Sequence, residues 1–494
     1  MALAARPASA TSARLKPPWR IWSFAAELQV RLLLQRDRAA LGRWMTARMS
    51  DLGPAFIKGG QFLSTRSDVL GKEVTDELAK LQDNTNVVAF ERIAEAVRAE
   101  LGCATDAIFE SIEPLPLASA SIGQVHRAKL RTKRGAAREV AIKVRKPGVR
   151  DQIYADLGTL KAIAGALSLV GAQPAREMDP LLVEYERFLT AELDYTAELA
   201  HMQRFADFFA AADDAVRIPR TYPSVSSSGL LVMEYLPSTK VTDAAALDAL
   251  GVDKDALAGR VLAVFVKQVT QLGSVHADPH PGNVGVLPDG RTLVLYDFGN
   301  VVRFSEAFVK EINAVMVAIV ERDVDEFVKL MTRLGLFVVG DAMDALELKA
   351  FFKVFFQYLQ NTDFDELRGA IVANDAMRQS RPAVKIDNNF FALFRVFSLL
   401  DGTCTQLSPS FNYIEVLAPF ALNALRDPNF LDYRIRRDVA RANGTSAIEA
   451  TDATQQMVVS LNARVKAMAS SAAAFRAVLY ATMLLNLLTL AGHR

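Results

Sequence analysis

The sequence predicts a two-lobed α+β fold, in which a small β-rich lobe precedes a mainly helical lobe. Alternating apolar residues and turn signals predict short strands between 116 and 144 and again at 230–236. Helical apolar patterns flank this region, from about 22 to 99 and again beyond 300. Closely spaced histidine, aspartate and asparagine residues lie between 276 and 300, where we expect the polar chemistry of the protein.

The composition indicates a globular protein of two or three packed subdomains. The chain has 494 residues, of which 51% are hydrophobic and 23% charged, and its net charge is +1. That charge balance gives no footprint for nucleic acid. Cys103 and Cys404 lie too far apart to suggest a disulfide framework or a zinc module, so both are predicted to be buried free thiols.

The first 26 residues form a basic leader that contains no acidic residue before Glu27. It lacks the apolar core of a signal peptide and is typical of an organelle transit peptide. Two alternatives are a disordered basic tail and a membrane-surface segment. The aromatic stretch Trp19–Phe24 could serve as an interfacial anchor of a peripheral protein.

A helical extension is predicted over 27–110, with breaks at Gly53-Pro54 and Gly59-Gly60. Lys58 and Gln61 interrupt its apolar pattern and bracket the second pair of glycines. Paired glycines permit a close approach of the backbone, so this stretch suits contact with a polar site.

The β-rich lobe is assigned to 111–240. The strand Glu139–Val144 carries Lys143, and in a kinase N-lobe such a lysine reaches the α- and β-phosphates of ATP while an acid from a nearby helix holds it. One long helix is predicted over Leu182–Phe209, and both Glu192 and Glu198 on it are candidates for that acid. Because they are six residues apart, a regular helix would point them to different faces.

Two further stretches of this lobe suit a nucleotide. A small-residue loop stands where a kinase carries its glycine-rich loop, and only Gly123 supplies a glycine there, so backbone amides and hydroxyls would contact phosphates. The loop comprises Ala118, Ser119, Ala120 and Ser121. The strand 230–237 has the form of an interlobe hinge, with Met233 at the back of the pocket and adenine-binding backbone at Glu234, Tyr235 and Leu236.

The stretch from His276 to Gly299 has the order and spacing of a kinase catalytic loop followed by a magnesium motif. Asp278 would orient an acceptor hydroxyl, and Asn283 and Asp297 would hold Mg²⁺. Pro288–Gly290 is a turn signal and 292–296 a strand that delivers Asp297. An alternative is a transition-metal site of a hydrolase, with ligands His276, Asp278 and His280.

The remaining chain is predicted to be a helical lobe over 241–430 and a helical tail over 431–494. Amphipathic stretches occur near 305–335 and 345–360, and no APE motif or activation-loop phosphosite is evident. The apolar run 477–491 is shorter than the roughly 20 residues that cross a bilayer core. We expect a buried or membrane-touching helix there rather than a span.

Together these motifs resemble the UbiB/ADCK (ABC1) family of atypical kinase-like ATPases, over roughly 50–303. The resemblance is carried by Lys58-Gly-Gly-Gln61, Ala118–Ser121, Glu192-Leu-Asp194, His276–Asn283 and Asp297-Phe-Gly299. It implies a protein-kinase-like fold whose helical extension packs over the active site, where Lys58 and Gln61 meet the carboxylates of Glu192 and Asp194. In that pattern Lys143 pairs with Glu198. Ser119 departs from the family's alanine-rich loop.

The resemblance also implies ATP and Mg²⁺ as cofactors and prenylquinone precursors or other isoprenoid lipids as partners. Family members act at membranes of plastids, mitochondria and bacteria, and a homodimer is possible. The leading hypothesis is an enzyme that hydrolyses Mg-ATP or transfers phosphate to a non-protein acceptor. The alternative from another class is a nucleotide-gated lipid-binding module with little turnover.

Overall fold

The computed structural model describes residues 15–64, 70–81, 87–132, 135–169, 174–213, 215–321, 323–334, 388–409 and 411–425. The chain divides into two compact units. The first comprises residues up to Lys240 together with Gly282–Val301, and the second comprises Val241–Pro281 and the residues from Val302 onward. The hairpin that carries the magnesium motif therefore belongs to the first unit, although it had been assigned to the helical lobe by sequence.

The first unit begins with helices. They are α1 (Trp19–Leu34), α2 (Arg38–Leu52), α3 (Pro54–Ser64), α4 (Lys72–Leu78), α5 (Phe90–Leu101) and α6 (Thr105–Ile108). Helix α1 starts inside the range predicted as leader. The predicted break at Gly53 is present, where φ is +116°. The predicted break at Gly59-Gly60 is wrong, because both glycines lie within α3.

The strands and the later helices of the first unit follow. They are β1 (Phe109–Ser119), β2 (Gly123–Leu130), β3 (Arg138–Arg145), α7 (Val149–Leu169), α8 (Pro174–Glu192), α9 (Tyr195–Ala212), β4 (Val216–Arg217), β5 (Leu230–Glu234), β6 (Thr239–Lys240), β8 (Val284–Val286) and β9 (Leu293–Leu295). The intervening β7 lies in the second unit. The sheet with the order β1-β2-β3-β5 is antiparallel. A second sheet with the order β4-β9-β8-β6 is mixed, because β4 pairs with β9 in parallel.

Among its described residues, this unit has two hydrophobic cores. One lies among α1–α4, α7 and α8 and includes Phe24, Met45, Leu78 and Leu189. The other lies between α5 and the first sheet. Successive side chains of a strand point to opposite faces, so Val140, Ile142 and Val144 of β3 fill the second core while Lys143 points away from it.

The described residues of the second unit are mainly helical, as predicted. Its elements are α10 (Ala244–Ala249), α11 (Lys254–Lys267), a π-helical turn (Gln268–Leu272), β7 (Ser274–His276), β10 (Val301–Arg303, whose first residue belongs to the first unit), α12 (Glu306–Glu321), α13 (Val324–Arg333), α14 (Asn388–Leu407) and α15 (Tyr413–Ala424). The predicted stretches at 345–360 and 477–491 lie outside the described residues.

The two cysteines differ in exposure. Cys404 is buried on α14, as predicted, and its thiol donates to the Ala258 carbonyl at 3.6 Å. Cys103 is exposed, contrary to prediction, because it follows Gly102, which ends α5 with φ of +68°. Within the described residues, no helix is long and apolar enough to cross a membrane.

Candidate functional site

The centre of the candidate site is Lys143, whose ammonium group contacts two carboxylates. Its Nζ lies 2.9 Å from both oxygens of Glu198 on α9 and 3.0 Å from Oδ1 of Asp297. The side chains of Lys143 and Glu198 are 16% and 3% exposed, whereas that of Asp297 is 51% exposed. The register of β3 fixes the lysine backbone, because Lys143 is paired with Val125 on one side and with Leu231 on the other.

One ammonium group shared between two carboxylates shifts the titration of the whole cluster. Burial opposes the charge on Lys143, but Asp297 and Glu198 outweigh burial and raise the pKa of Lys143 well above its ordinary value. Burial raises the pKa of Glu198 to about 7, although the Lys143 cation acts against this shift. Lys143 is therefore a permanent cation, and Asp297 is the carboxylate that solvent reaches.

The β8–β9 hairpin places Asn283 beside Asp297. Val284 pairs with Leu295, and the Tyr296 amide donates to the Asn283 carbonyl at 2.9 Å, so Asn283 lies next to the residue that precedes Asp297. Asp297 has a φ of +57°, the left-handed conformation that aspartate tolerates better than most residues. An amide oxygen and a carboxylate are hard oxygen donors, so this pair suits Mg²⁺.

The small-residue loop between β1 and β2 is tight. Ser119 pairs with Gln124, and the Ala120 amide donates to the Gly123 carbonyl at 2.9 Å. A Cβ on Gly123 would stand 2.4 Å from the hydroxyl of Tyr195, so only glycine fits there. The buried hydroxyl of Ser119 has no protein partner among the described residues.

The predicted hinge lies at the end of β5 and directly after it. Some of its backbone amides and carbonyls already form hydrogen bonds within the protein. The Glu234 amide donates to the Arg220 carbonyl at 2.7 Å, and the Tyr235 amide donates to the Glu139 carbonyl at 3.2 Å. The Leu236 carbonyl accepts the Tyr296 hydroxyl at 2.9 Å. Within the described residues the Leu236 amide donates to no protein acceptor, so it is the open donor of this segment.

The predicted single helix over 182–209 is wrong, because the chain breaks into α8 and α9 between Glu192 and Tyr195. Asp194 caps α9, and its Oδ1 accepts the Thr196 amide at 2.9 Å and the Thr196 hydroxyl at 2.7 Å. Glu192 ends α8, where its carboxylate lies 3.2 Å from the ammonium group of Lys58. The break, rather than helical periodicity, is why Glu192 and Glu198 have different partners.

The Lys58 stretch lies inside α3, and its two glycines serve helix packing. A Cβ on Gly59 would lie 2.8 Å from the Tyr185 hydroxyl of α8, and one on Gly60 would lie 2.1 Å from Leu81. The backbone at these glycines does approach its neighbours closely, as expected. Those neighbours are an aromatic and an apolar side chain rather than a polar site. The Gln61 side-chain amide is 3.4 Å from the Leu81 carbonyl, and no contact between Gln61 and the Glu192 or Asp194 carboxylates is observed.

The second unit carries the predicted catalytic loop. His276 is buried, its amide donates to the Gln268 side-chain oxygen at 2.9 Å, and its Nδ1 accepts the Asp278 amide at 3.2 Å. Asp278 lies 3.8 Å from the guanidinium group of Arg395 on α14. Within the described residues no group of three His, Cys, Asp or Glu side chains could hold a metal, so the His276–Asp278–His280 site is not formed.

Sequence reasoning missed Tyr195, the first residue of α9. Its ring lies 5.2 Å from the Lys143 ammonium group, and its hydroxyl is buried without a partner among the described residues. Burial raises the pKa of this phenol far above its usual range. An aromatic residue directly after Asp194 was the available signal, but an aromatic residue near a helix start is more often simple core.

Comparisons with known proteins relate this chain to one family. Residues 80–331 match the family model of the ABC1 atypical kinase-like domain. The chain is 32% identical over 422 residues to the chloroplastic protein Activity of BC1 Complex Kinase 8 of Arabidopsis thaliana, which covers 79% of this chain and 54% of that protein. The chain thus spans about half the length of that relative.

A bacterial relative is covered more fully. The probable protein kinase UbiB of Histophilus somni is 30% identical over 398 residues, which cover 78% of this chain and 72% of that protein. A solved structure of Rv3197 from Mycobacterium tuberculosis, in complex with erythromycin, superposes with a TM-score of 0.57 at 24% identity. It covers 81% of this chain and 99% of that one, and at this identity it supports the fold alone.

Proposed function

This chain belongs to the ABC1 atypical kinase-like family, and from that premise we propose that it binds Mg-ATP and hydrolyses it or transfers its phosphate to a non-protein acceptor. One observation carries the proposal: the ammonium group of Lys143 is held by Glu198 and Asp297 at 2.9–3.0 Å. Burying a lysine is costly unless carboxylates pair with it closely. A buried lysine that is held beside a solvent-exposed carboxylate is therefore typical of a functional site, here one that binds phosphate.

Each polar residue then has a role in phosphoryl transfer. Lys143 neutralises the α- and β-phosphates, and Asp297 with Asn283 holds Mg²⁺, which supplies positive charge against the transferring group. Lys143 contacts Asp297 directly, so the cation that would bind the phosphates lies beside the carboxylate that would hold the metal. Asp278, whose amide is fixed by His276, orients the attacking oxygen.

The nucleotide base binds at the hinge. Met233 is the last residue before Glu234 on β5, and the open Leu236 amide lies three positions beyond it. We propose that this amide donates to adenine, while the Ser119 hydroxyl and the amides of the loop from Ala118 to Ser121, with Gly123, contact the phosphates.

The non-protein acceptor follows from the helical extension. The Lys58–Glu192 ion pair joins α3 to the end of α8, three residues before the start of α9, the helix that carries Glu198. In the family pattern Lys58 and Gln61 occupy the space that a peptide substrate needs, and Asp194 and Glu192 are the carboxylates that face them. We therefore propose a small or lipid-like acceptor, and we infer prenylquinone precursors or other isoprenoid lipids from the family.

A membrane surface is the proposed site of action. Seven of the twelve large exposed apolar side chains among the described residues fall between Leu15 and Leu34. On α1, Trp19, Trp22, Val30 and Leu33 follow helical spacing on the face opposite the buried Ile21 and Phe24. Exposed basic residues follow the helix at 36 and 38. Tryptophan and arginine around an apolar stripe suit the interface of an anionic bilayer.

The relatives bear on location. The Arabidopsis relative is named as chloroplastic, and the UbiB relative is bacterial. We infer action at a plastid, mitochondrial or bacterial membrane that contains prenylquinones.

ATP turnover by the purified protein tests the proposal. We expect Mg²⁺-dependent turnover that anionic liposomes with quinone-headgroup mimics stimulate. Asp278→Asn should retain nucleotide affinity and lose turnover, and Asp297→Asn should lose Mg²⁺-dependent affinity. Asp207→Asn, an exposed carboxylate on α9, is the matched control and should behave as wild type. Mg²⁺-dependent affinity retained in Asp297→Asn would contradict the metal assignment.

The same assay separates the second candidate, a nucleotide-gated lipid-binding module. The exposed stripe of α1 favours it, because lipid contact needs no turnover. Tight nucleotide binding without turnover under any condition, together with nucleotide-dependent lipid binding that Asp278→Asn retains, would favour the module over the enzyme.

A further inference from the structure

Arg145 occupies the same face of β3 as Lys143, two residues further along the strand, and no motif draws attention to it. Its guanidinium group donates to the Leu193 carbonyl at 2.5 Å and to the Ser228 carbonyl at 3.2 Å. A second nitrogen lies 3.1 Å from a carboxylate oxygen of Glu100. With 12% of its side chain exposed, Arg145 is nearly buried.

The Leu193 carbonyl is the critical acceptor, since Leu193 is the first residue after the end of α8. The next residue, Asp194, caps α9, and the Tyr195 amide donates to the Ser228 carbonyl at 3.0 Å. Arg145 thus binds both sides of the junction between α8 and α9. It contacts the Leu193 carbonyl directly after α8, and the Ser228 carbonyl that also accepts the Tyr195 amide at the start of α9. Its fork-shaped guanidinium group makes these contacts together, which a lysine cannot reproduce.

Glu100 holds the guanidinium group in place from α5. Its other carboxylate oxygen accepts the Ser227 hydroxyl at 2.6 Å, so the same carboxylate also orders the loop before β5. A Cβ on Gly229 would lie 2.1 Å from Glu100 and 2.8 Å from Arg145, so this loop approaches the pair closely enough to need glycine. The cluster of Glu100, Arg145 and Ser227 is called the junction clamp below.

The junction connects two parts of the candidate site. On its α8 side Glu192 pairs with Lys58, and on its α9 side Glu198 pairs with Lys143. Lys143 and Arg145 share a strand face, so their Cα positions are fixed relative to each other by the β3 register. We propose that Arg145 is a positioning residue: through the junction clamp it fixes the junction to β3 and sets the position of Glu198 against Lys143.

Two measurements test the role of Arg145. One of them rests on the proposed nucleotide function, and the other does not. The independent readout is amide hydrogen exchange of the peptide that covers 192–198, measured without ligand. The dependent readout is the affinity for Mg-ADP by calorimetry, measured well below the unfolding temperature. The variant is Arg145→Met, which keeps an apolar stem and removes every donor.

In Arg145→Met we expect faster exchange at the junction and about tenfold weaker Mg-ADP binding, the scale of one lost charge-assisted hydrogen bond. Arg145→Lys should recover part of both effects. The matched control is Arg138→Met, which removes an exposed arginine at the start of the same strand, seven residues before Arg145. It should change neither readout.

Unchanged exchange at 192–198 in Arg145→Met would overturn the clamp. Faster exchange with unchanged Mg-ADP affinity would overturn the positioning role and leave only a structural one. If wild type itself binds no Mg-ADP, the proposed function fails, and faster exchange in the variant still supports the clamp. Should Arg145→Met not fold, Glu100→Gln removes the charge but keeps the shape, and the same two outcomes decide.

Discussion

At the scale of single residues, the site is organised by one cation between two unequal carboxylates. Glu198 is buried and fixes Lys143, whereas Asp297 is half exposed and can exchange its partner. The difference in burial supports the roles that we propose, because the carboxylate proposed to hold Mg²⁺ is the one that solvent reaches. Composition and spacing in the sequence cannot make this distinction.

A second residue-scale feature is a buried histidine outside the site. His126 on β2 is fully buried, and its Nδ1–H donates to the Glu113 carbonyl at 2.8 Å. Its Nε2 must then accept the side-chain amide of Gln124 at 2.8 Å, while the Gln124 oxygen accepts the Val88 amide at 2.9 Å. Burial lowers the pKa of His126, so the neutral ring is the folded form.

This arrangement predicts acid sensitivity. Because the folded pKa of His126 lies below the unfolded value near ~6.5, its contribution to stability is complete above that pH and is lost as the pH falls through the lowered pKa. Urea unfolding should show His126→Gln with a weaker decline of stability below neutrality than wild type. His280→Gln, at an exposed histidine, should retain the wild-type slope. Equal slopes in His126→Gln and wild type would contradict the prediction.

At the scale of elements, small residues decide how closely the helices of the extension approach. Gly59 faces the Tyr185 hydroxyl, which in turn donates to the Ala55 carbonyl of the same α3 helix. Leu189 and Tyr185 of α8 belong to the helical core, so α3 and α8 are packed across this contact. The Lys58–Glu192 ion pair depends on that packing distance.

Two alanine substitutions on helices should therefore have opposite signs. Gly59→Ala places a methyl group 2.8 Å from the Tyr185 hydroxyl and should lower the free energy of unfolding by about 1–3 kcal/mol. Gly158→Ala on α7 meets no atom within 4 Å and should raise it by about 0.5–1 kcal/mol through helix propensity. Urea titration of both variants measures this, and a neutral Gly59→Ala would show that α3 can shift.

At the scale of the whole molecule, the first unit contains the sheet that carries Lys143, the hairpin that precedes Asp297 and a helical extension with an exposed apolar stripe. The hairpin Gly282–Val301 belongs to this unit although it follows residues of the second in sequence. Asn283 and Asp297 therefore lie in the same unit as Lys143. The direct contact between Lys143 and Asp297 agrees with this division.

The stripe of α1 gives a membrane prediction. The protein should sediment with anionic vesicles and much less with zwitterionic ones. Trp19→Ser combined with Trp22→Ser should weaken that binding by about tenfold or more, since burial of one large apolar side chain contributes roughly 1.5–3 kcal/mol. Val183→Ser, at an exposed valine on α8, is the control. Equal sedimentation of the double variant and wild type would exclude α1 as the contact.

The sequence by itself determined the fold class, the strands at Lys143 and at the hinge, the hairpin before Asp297 and the family. These follow from short-range periodicity and from motif order, both of which are local. The tertiary structure alone decided the break at Leu193 and the packing use of Gly59 and Gly60. Residue spacing left both Glu192 and Glu198 as candidate partners of Lys143; the family resemblance implied Glu198, and the structure shows that pair. Lys143 meets residues 55 and 154 positions away, and Arg145 reaches Leu193 across 48. Such contacts depend on how helices and strands pack against one another. A local sequence pattern cannot specify contacts between residues that lie so far apart in the chain.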